Sequence, residues 1–363
     1  MGLNLTMKNN WNLSDLQSVS KNGFKVFSCF HCGGGSTMGY KLAGYEVLGG
    51  VEIDPVMMNL YKHNHNPKHS YLMGVEDFNK IPDDQLPEDL FSLDILDGSP
   101  PCSSFSASGS REKKWNKETK FREGQAVQIL DNLFFHFIDT AKKLKPKIVV
   151  AENVKGIIYG NAKGYVKQIF TEFREAGYEC QLFLLNASRM GVPQKRERTV
   201  FIARRIDLEI PKIKLEFNEP IVSVNDATLH CNHESYDASL NLKNAEDIAA
   251  WKWCIKNKNP FFCAYYESEE GGSKRKKFNS QISFYDDACY TITSSSRLIS
   301  DKHARYFTDE EIVACQTFPQ DYNFLKCDPG YVCGMSVPPF MMQGLLLKLN
   351  SSYYQNKFET LHD

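Results

Sequence analysis

The stretch "LDILDGSPPCSSFSASG" (residues 93–109) begins as a buried strand and ends in small polar residues. Between them Cys102 sits on a turn stiffened by Pro100 and Pro101. Two prolines fix the backbone and remove its N–H donors. A thiol held out this way, with polar residues beyond it, has the setting of a nucleophile rather than of core filler. Glu152 and Asn153 close the apolar run "KIVVAENV", where a sheet meets its cleft and a carboxyl in a dry site can act as an acid. Gln194, Arg196 and Arg198 fall on alternate positions leading into "RTVFIARR", and strand alternation would aim all three from one face. Gly33, Gly34 and Gly35 follow a strand and precede a helix, which lets the backbone approach a nucleotide-like ligand. Glu52, at the tip of the next strand, suits ribose hydroxyls. The cluster is neither GxGxxG nor a phosphate loop, so the pattern suits an adenosine ligand without a triphosphate.

The elements that must position these groups alternate. Strands are expected at "KVFSC", "YEVLGGVEIDP", "SLDILDG", "PKIVVAENV", "ECQLFLLNA" and "RTVFIARR", with helices between them. One helix is expected from about Gly124 to Leu144, its face formed by Val127, Leu130, Phe134, Phe137, Ala141 and Leu144. Another, "GYVKQIFTEFREAGY", closes at Gly177. The pattern predicts an α/β fold: a doubly wound, mostly parallel sheet with ligands at the carboxyl ends of its strands. After Arg205 the rhythm breaks. Residues 207–286 are irregular, with Trp251, Trp253, "PFFCAYYE" and the basic "GGSKRKK", and read as a separate module. A final segment predicts two helices around a turn.

The chain has 363 residues, 42% hydrophobic and 24% charged, enough for a sizeable core. A formal net charge of −1 sets up no global basic field, so a nucleic-acid partner would be held by local patches. No apolar run near twenty residues and no signal-peptide pattern are seen, so no membrane span is expected. The 11 scattered cysteines point to reduced thiols in the cytoplasm or nucleoid. Cys231, His233, Cys254 and Cys263 lack paired Cys-x-x-Cys spacing, so no metal is expected.

In order along the chain, these stretches resemble the DNA cytosine-5 methyltransferase family of bacterial or phage type. "FSCFHCGGGSTMG" is similar to its cofactor motif, with Cys32 at the first glycine position, and "VEIDP" and "GVEDF" to the next two. "GSPPCSSFS" resembles the Pro-Cys motif with Ser103 where glutamine is frequent, and "ENV" and "QKRER" match closely. "ACYTITSSSRL" is a loose match to the ninth motif, and "CGMSVPP" resembles the closing motif with Met335 in place of asparagine. The resemblance implies a Rossmann-like S-adenosylmethionine methyltransferase fold with a smaller, irregular target-recognition domain. It divides the chain into a catalytic and cofactor domain (1–206), a recognition domain (207–329) and a returning segment (330–363). It implies methyl transfer from S-adenosylmethionine to carbon 5 of a flipped cytosine in double-stranded DNA at a short sequence, through covalent Cys102. Glu152, Asn153, Arg196 and Arg198 complete the implied catalytic set. Phe30, Gly34, Gly35, Glu52, Ile53, Asp77, Pro101 and Ser336 would hold the cofactor, and Ser104, Ser106 and Gln194 the substrate. The charged segment 106–124 would close over the base as a lid. A monomer is expected, and whether a cognate restriction endonuclease accompanies it is left open by the sequence. Three alternatives stay open: a tRNA cytosine-5 methyltransferase, an amino methyltransferase whose Pro-Pro-aromatic turn resembles this one, and an inactive DNA-binding relative.

Overall fold

A computed structural model describes residues 10–101, 118–119, 128–129, 132–159, 162–233, 235–268, 277 and 279–359. The chain forms two compact units. Of the described residues, the larger takes those within 16–185, 197–216 and 342–359, and the smaller those within 10–15, 186–196 and 217–341.

The larger unit is built on seven strands: β1 (Lys25–Cys29), β2 (Glu46–Glu52), β3 (His69–Leu72), β4 (Ile95–Gly98), β5 (Ile148–Val154), β6 (Tyr178–Asn186) and β7 (Glu197–Arg205). Their order is β3-β2-β1-β4-β5-β7-β6. The first five pair in parallel, and β7 runs antiparallel to β5. The central strands are apolar on both faces because helices cover both, as parallel sheets require. Helices α1 (Gly35–Leu42), α2 (Pro55–His65), α3 (Val75–Lys80), α4 (Leu133–Leu144) and α5 (Ala162–Glu175) make the crossovers. The core centres on Phe27, Phe78, Phe134, Phe137, Phe173 and Phe201. Strand order reverses between β1 and β4, which opens a crevice beyond their carboxyl ends. This is the doubly wound sheet expected from the alternation.

Two expectations need correction. The helix expected from Gly124 begins at Leu133. Gln128–Ile129 instead pairs with Glu118–Thr119 as a short antiparallel ladder, and Val127 and Leu130 lie outside the described residues. Among the described residues there is also one stretch with the length and apolar composition of a membrane span, Pro329–Ser351. It is broken at Ser336–Pro338, and 67% of its apolar window is buried in the protein, as in core helices.

The smaller unit contains α6 (Val224–Ala227), α7 (Ala245–Asn257), α8 (Phe262–Ser268), α9 (Asp309–Cys315) and α10 (Pro329–Met335), and α11 (Pro339–Glu359) begins there. The final segment thus holds three helices, not two. Leu242, Ala250, Cys254, Phe262, Tyr266, Ile282 and Ile299 form a core of its own. A second centre is polar: buried Arg305 donates to both carboxylate oxygens of buried Glu311, at 2.8 and 3.0 Å. Tyr285 and the Thr308 N–H donate to the same carboxylate, and Thr308 closes a capping box on α9.

Candidate active site

The crevice is shaped by two turns, one after β1 and one after β4. After β1 the chain takes left-handed backbone at Phe30 (φ 58°), Cys32 (φ 47°) and Gly34 (φ 81°) before α1 starts at Gly35. A Cβ at Gly34 would lie 2.2 Å from His65 Nε2, so only glycine lets the loop sit this close to α2. His65 also bonds the Gly33 carbonyl at 3.1 Å, and the His31 ring stacks on Tyr61 at 3.7 Å. Burial pulls both imidazoles down, to about 4 for His31 and about 3 for His65, so they are neutral packing groups. Both carboxylate oxygens of Glu52 accept backbone N–H bonds, from Cys32 and Asp54, at 3.0 Å each. Burial raises Glu52 above the ordinary glutamate value, and these bonds oppose the rise. Phe30 and Ile53 are half-buried beside this loop, while Asp77, on α3, is exposed and paired with Lys80 at 3.0 Å.

At the end of β4, Pro100 and Pro101 begin the second turn. Buried Asn153 donates its Nδ2 to the Pro100 carbonyl at 3.1 Å, tying the turn to β5. Cys102, Ser104 and Ser106 lie outside the described residues, as does the expected lid apart from Glu118–Thr119. Glu152 and Arg198 meet on β5 and β7. Register pairs Val154 with Arg198, so Glu152, two residues along the same face, is Arg198's diagonal neighbour. Arg198 Nε donates to Glu152 Oε1 at 2.8 Å, and both side chains are largely shielded. Burial lowers the Arg198 guanidinium's pKa from its usual value, and Glu152 opposes this. Arg198 Nη1 also donates to the Glu197 carbonyl at 2.9 Å.

Strand alternation does not extend back to Gln194. β7 starts at Glu197, and residues 186–196 belong to the smaller unit. There buried Gln194 donates to Gln316 Oε1 at 2.7 Å and accepts from the Ile292 N–H at 3.0 Å. Arg196 donates to the carbonyls of Ile292 and Gly334 at 3.0 and 3.1 Å. Gln316 in turn holds the Ser336 carbonyl at 2.8 Å, in the same unit. Gln316 was not singled out from sequence, and neither were Asp97 and the Arg305–Glu311 pair. "TDEE" after Tyr306–Phe307 carried a capping-box signal that could have found the last of these. The described residues contain no group of three or more His, Cys, Asp or Glu placed to hold a metal; His233 instead bonds Glu311 at 2.9 Å.

The donor set fits a nucleoside carrying positive charge. Glycine backbone brings the loop close, Glu52 offers acceptors, and a further buried carboxyl, Asp97, has no ion pair among the described residues. A mostly parallel seven-stranded sheet in this strand order, flanked by helices and with a glycine loop after β1, is the class I S-adenosylmethionine methyltransferase architecture.

Comparison with known proteins narrows the class. Residues 24–351 match the family described as C-5 cytosine-specific DNA methylase. The Type II methyltransferase M.FnuDI of Fusobacterium nucleatum is 34% identical over 197 residues, covering 54% of this chain and 51% of that protein. M1.HphI of Haemophilus parahaemolyticus, another Type II methyltransferase, is 28% identical over 352 residues, 89% of this chain and 86% of that one. A crystal structure of a prophage-encoded DNA modification methyltransferase (E. coli) shares the fold with a TM-score of 0.64 at 21% identity, covering 91% of this chain and 99% of its own. The chain belongs to the C-5 cytosine-specific DNA methylase family and is, by that membership, an enzyme of the DNA cytosine-5 methyltransferase class.

Proposed function

We propose that the protein methylates carbon 5 of a flipped cytosine at a specific short sequence in double-stranded DNA, with S-adenosylmethionine as donor. The observation that best supports this is the Glu152–Arg198 pair, 2.8 Å apart on adjacent strands, beside an Asn153 tied to the turn that leads to Cys102. When bound, the cofactor supplies an electrophilic methyl group on a positively charged sulfur. Phe30, Gly34, Gly35, Glu52, Ile53, Asp77, Pro101 and Ser336 are its proposed contacts.

Cytosine carbon 5 is a weak nucleophile. The Cys102 thiolate activates it by forming a sulfur–carbon bond at carbon 6, which pushes the 5,6 π electrons toward carbon 5 and negative charge toward N3 and O2. Glu152, the carboxylate paired with Arg198 in the free protein, takes up a proton as the base enters and donates it to N3 in a hydrogen bond, and the remaining N–H groups of Arg198 face O2, both in a shielded site where such bonds count most. After methylation a base removes the carbon 5 proton. Its electrons re-form the double bond and the Cys102 sulfur leaves with the pair that bound it. Asn153 contributes by fixing the Pro100 turn, and Arg196 by bracing Ile292 and Gly334. Ser104, Ser106 and Gln194 are proposed for substrate handling, and residues 207–329 for sequence recognition. A cognate restriction endonuclease fits this reading.

The test is a gel-stable adduct with duplex DNA carrying 5-fluorocytosine, whose carbon 5 has no proton to lose. The wild type should form it in the presence of cofactor. Cys102→Ser should not, and Glu152→Gln should form it at least a hundredfold more slowly. An adduct that survives in Cys102→Ser would overturn the assignment.

A further inference from the structure

Asp97 lies on β4 opposite Ser28 of β1, at the strand pair where sheet order reverses. It is 2% exposed. Its Oδ2 accepts from Ser28 Oγ at 2.7 Å and Ser36 Oγ at 2.9 Å, and its Oδ1 accepts from Tyr40 at 3.3 Å. Ser36 and Tyr40 stand one turn apart on α1, the helix that begins where the glycine loop ends. All three partners are neutral hydroxyls, and among the described residues no lysine, arginine or histidine pairs with Asp97. A buried carboxylate without a counter-ion is costly. Structural needs alone would be met by asparagine, which has the same shape and can bond the same hydroxyls.

We propose that Asp97 supplies the crevice with a fixed negative charge that makes it prefer the sulfonium cofactor to the demethylated product, whose sulfur is neutral. This rests on the reading of the crevice as the cofactor site. Asp97 acts through the field it sets up in a low-dielectric interior rather than by contact, so it is a specificity-determining residue and not a catalytic one. Binding of a cation restores the neutrality that the hydroxyls cannot give, and methyl transfer removes that cation, which favours release of the spent product.

Burial raises Asp97 to about 6, with the three hydroxyl bonds opposing the rise and the Glu152 charge adding to it. The charge is therefore present at pH 7.5 and lost by pH 5. The other groups around it can be accounted for. Cys29 on β1, Tyr40 on α1 and Tyr61 on α2 are all raised by burial and stay protonated in this window. His31 and His65 stay neutral. Glu52 on β2 is raised above the ordinary glutamate range, and Glu152 on β5 is paired with Arg198 on β7. A Glu52 contribution would persist when Asp97 is replaced, so the variant separates the two.

The experiment is calorimetric binding of S-adenosylmethionine and S-adenosylhomocysteine to the full-length wild type, Asp97→Asn and Tyr40→Phe, at steps from pH 5 to 7.5. Both ligands carry the same amino and carboxyl groups and differ by the methyl and the charge on sulfur, so the pH dependence of the ratio of their dissociation constants reports the charge. In the wild type the ratio should move about tenfold toward the sulfonium ligand as pH rises. Asp97→Asn should hold the pH 5 ratio throughout, with an unchanged or higher melting temperature showing that it is folded. Tyr40→Phe removes a donor to the carboxylate, so its midpoint should shift to higher pH. A wild-type ratio and pH dependence retained in Asp97→Asn would overturn the proposal, as would equal loss of both ligands. A wild type that binds neither ligand would overturn the cofactor reading itself.

Discussion

Asp97 and Glu152 are carboxyls on neighbouring strands with opposite company. Glu152 has a guanidinium 2.8 Å away, whereas Asp97 has hydroxyls only. Raising Asp97 from 3.8 to about 6 means that its charged form costs the fold about 3 kcal/mol. A folded-state value above the unfolded one adds stability below about pH 4 and loses it as pH climbs through about 6. Asp97→Asn should therefore gain up to about 3 kcal/mol over the wild type at pH 7.5, and the gain should shrink toward pH 4, as read by denaturant melts at several pH values. A variant less stable than the wild type at pH 7.5 would show that the hydroxyl cluster needs the anion. Glu152 and Arg198 were legible in the sequence because each ends or begins an apolar run. Asp97 was not, since one acid inside "LDILDG" looks like a strand end, and only the β1–β4 register reveals how deeply it is buried.

At the scale of elements, the alternation of strands and helices was enough to give the doubly wound sheet, and with it the crevice. What it could not give was where periodicity stops. The helix face drawn back to Val127 overran α4, because an apolar period continues through residues that pair as a short ladder. The Gln-x-Arg-x-Arg alternation likewise overran β7, and its first two members instead bond the Ile292 backbone in the smaller unit, Gln194 accepting from its N–H and Arg196 donating to its carbonyl. Packing distances are also invisible to pattern. A Cβ at Gly98 would lie 2.4 Å from the Phe137 ring, so the last residue of β4 must be glycine for α4 to lie against it. Gly98→Ala should cost about 1–3 kcal/mol and slow methyl transfer by displacing the Pro100 turn. Phe137→Leu should cost stability alone yet recover part of the loss in the double variant, and simple additivity in that cycle would contradict the contact.

Across the whole molecule, acid should act on the two units with opposite sign. Burial opposes the charge of Glu311, but Arg305, Tyr285 and the Thr308 N–H outweigh it and hold this carboxyl below the ordinary glutamate value. Its contribution is present above the unfolded value of 4.5 and is lost as pH falls through the lower folded one. Hydrogen exchange should show the smaller unit loosening first below about pH 4, and Glu311→Gln, which leaves Arg305 buried without its counter-charge, should loosen it by several kcal/mol at neutral pH. The rhythm of strands and helices breaks after Arg205, but no local pattern marks residues 186–196 as part of the smaller unit, because a unit assembled from distant segments leaves none. The direct measurement is transfer of labelled methyl from S-adenosylmethionine to duplex DNA and to total RNA, with bisulfite sequencing to locate the product. Label should appear in DNA, as 5-methylcytosine at one short sequence, and be absent with Cys102→Ser. Label in RNA alone, or on an exocyclic amino group, would contradict it.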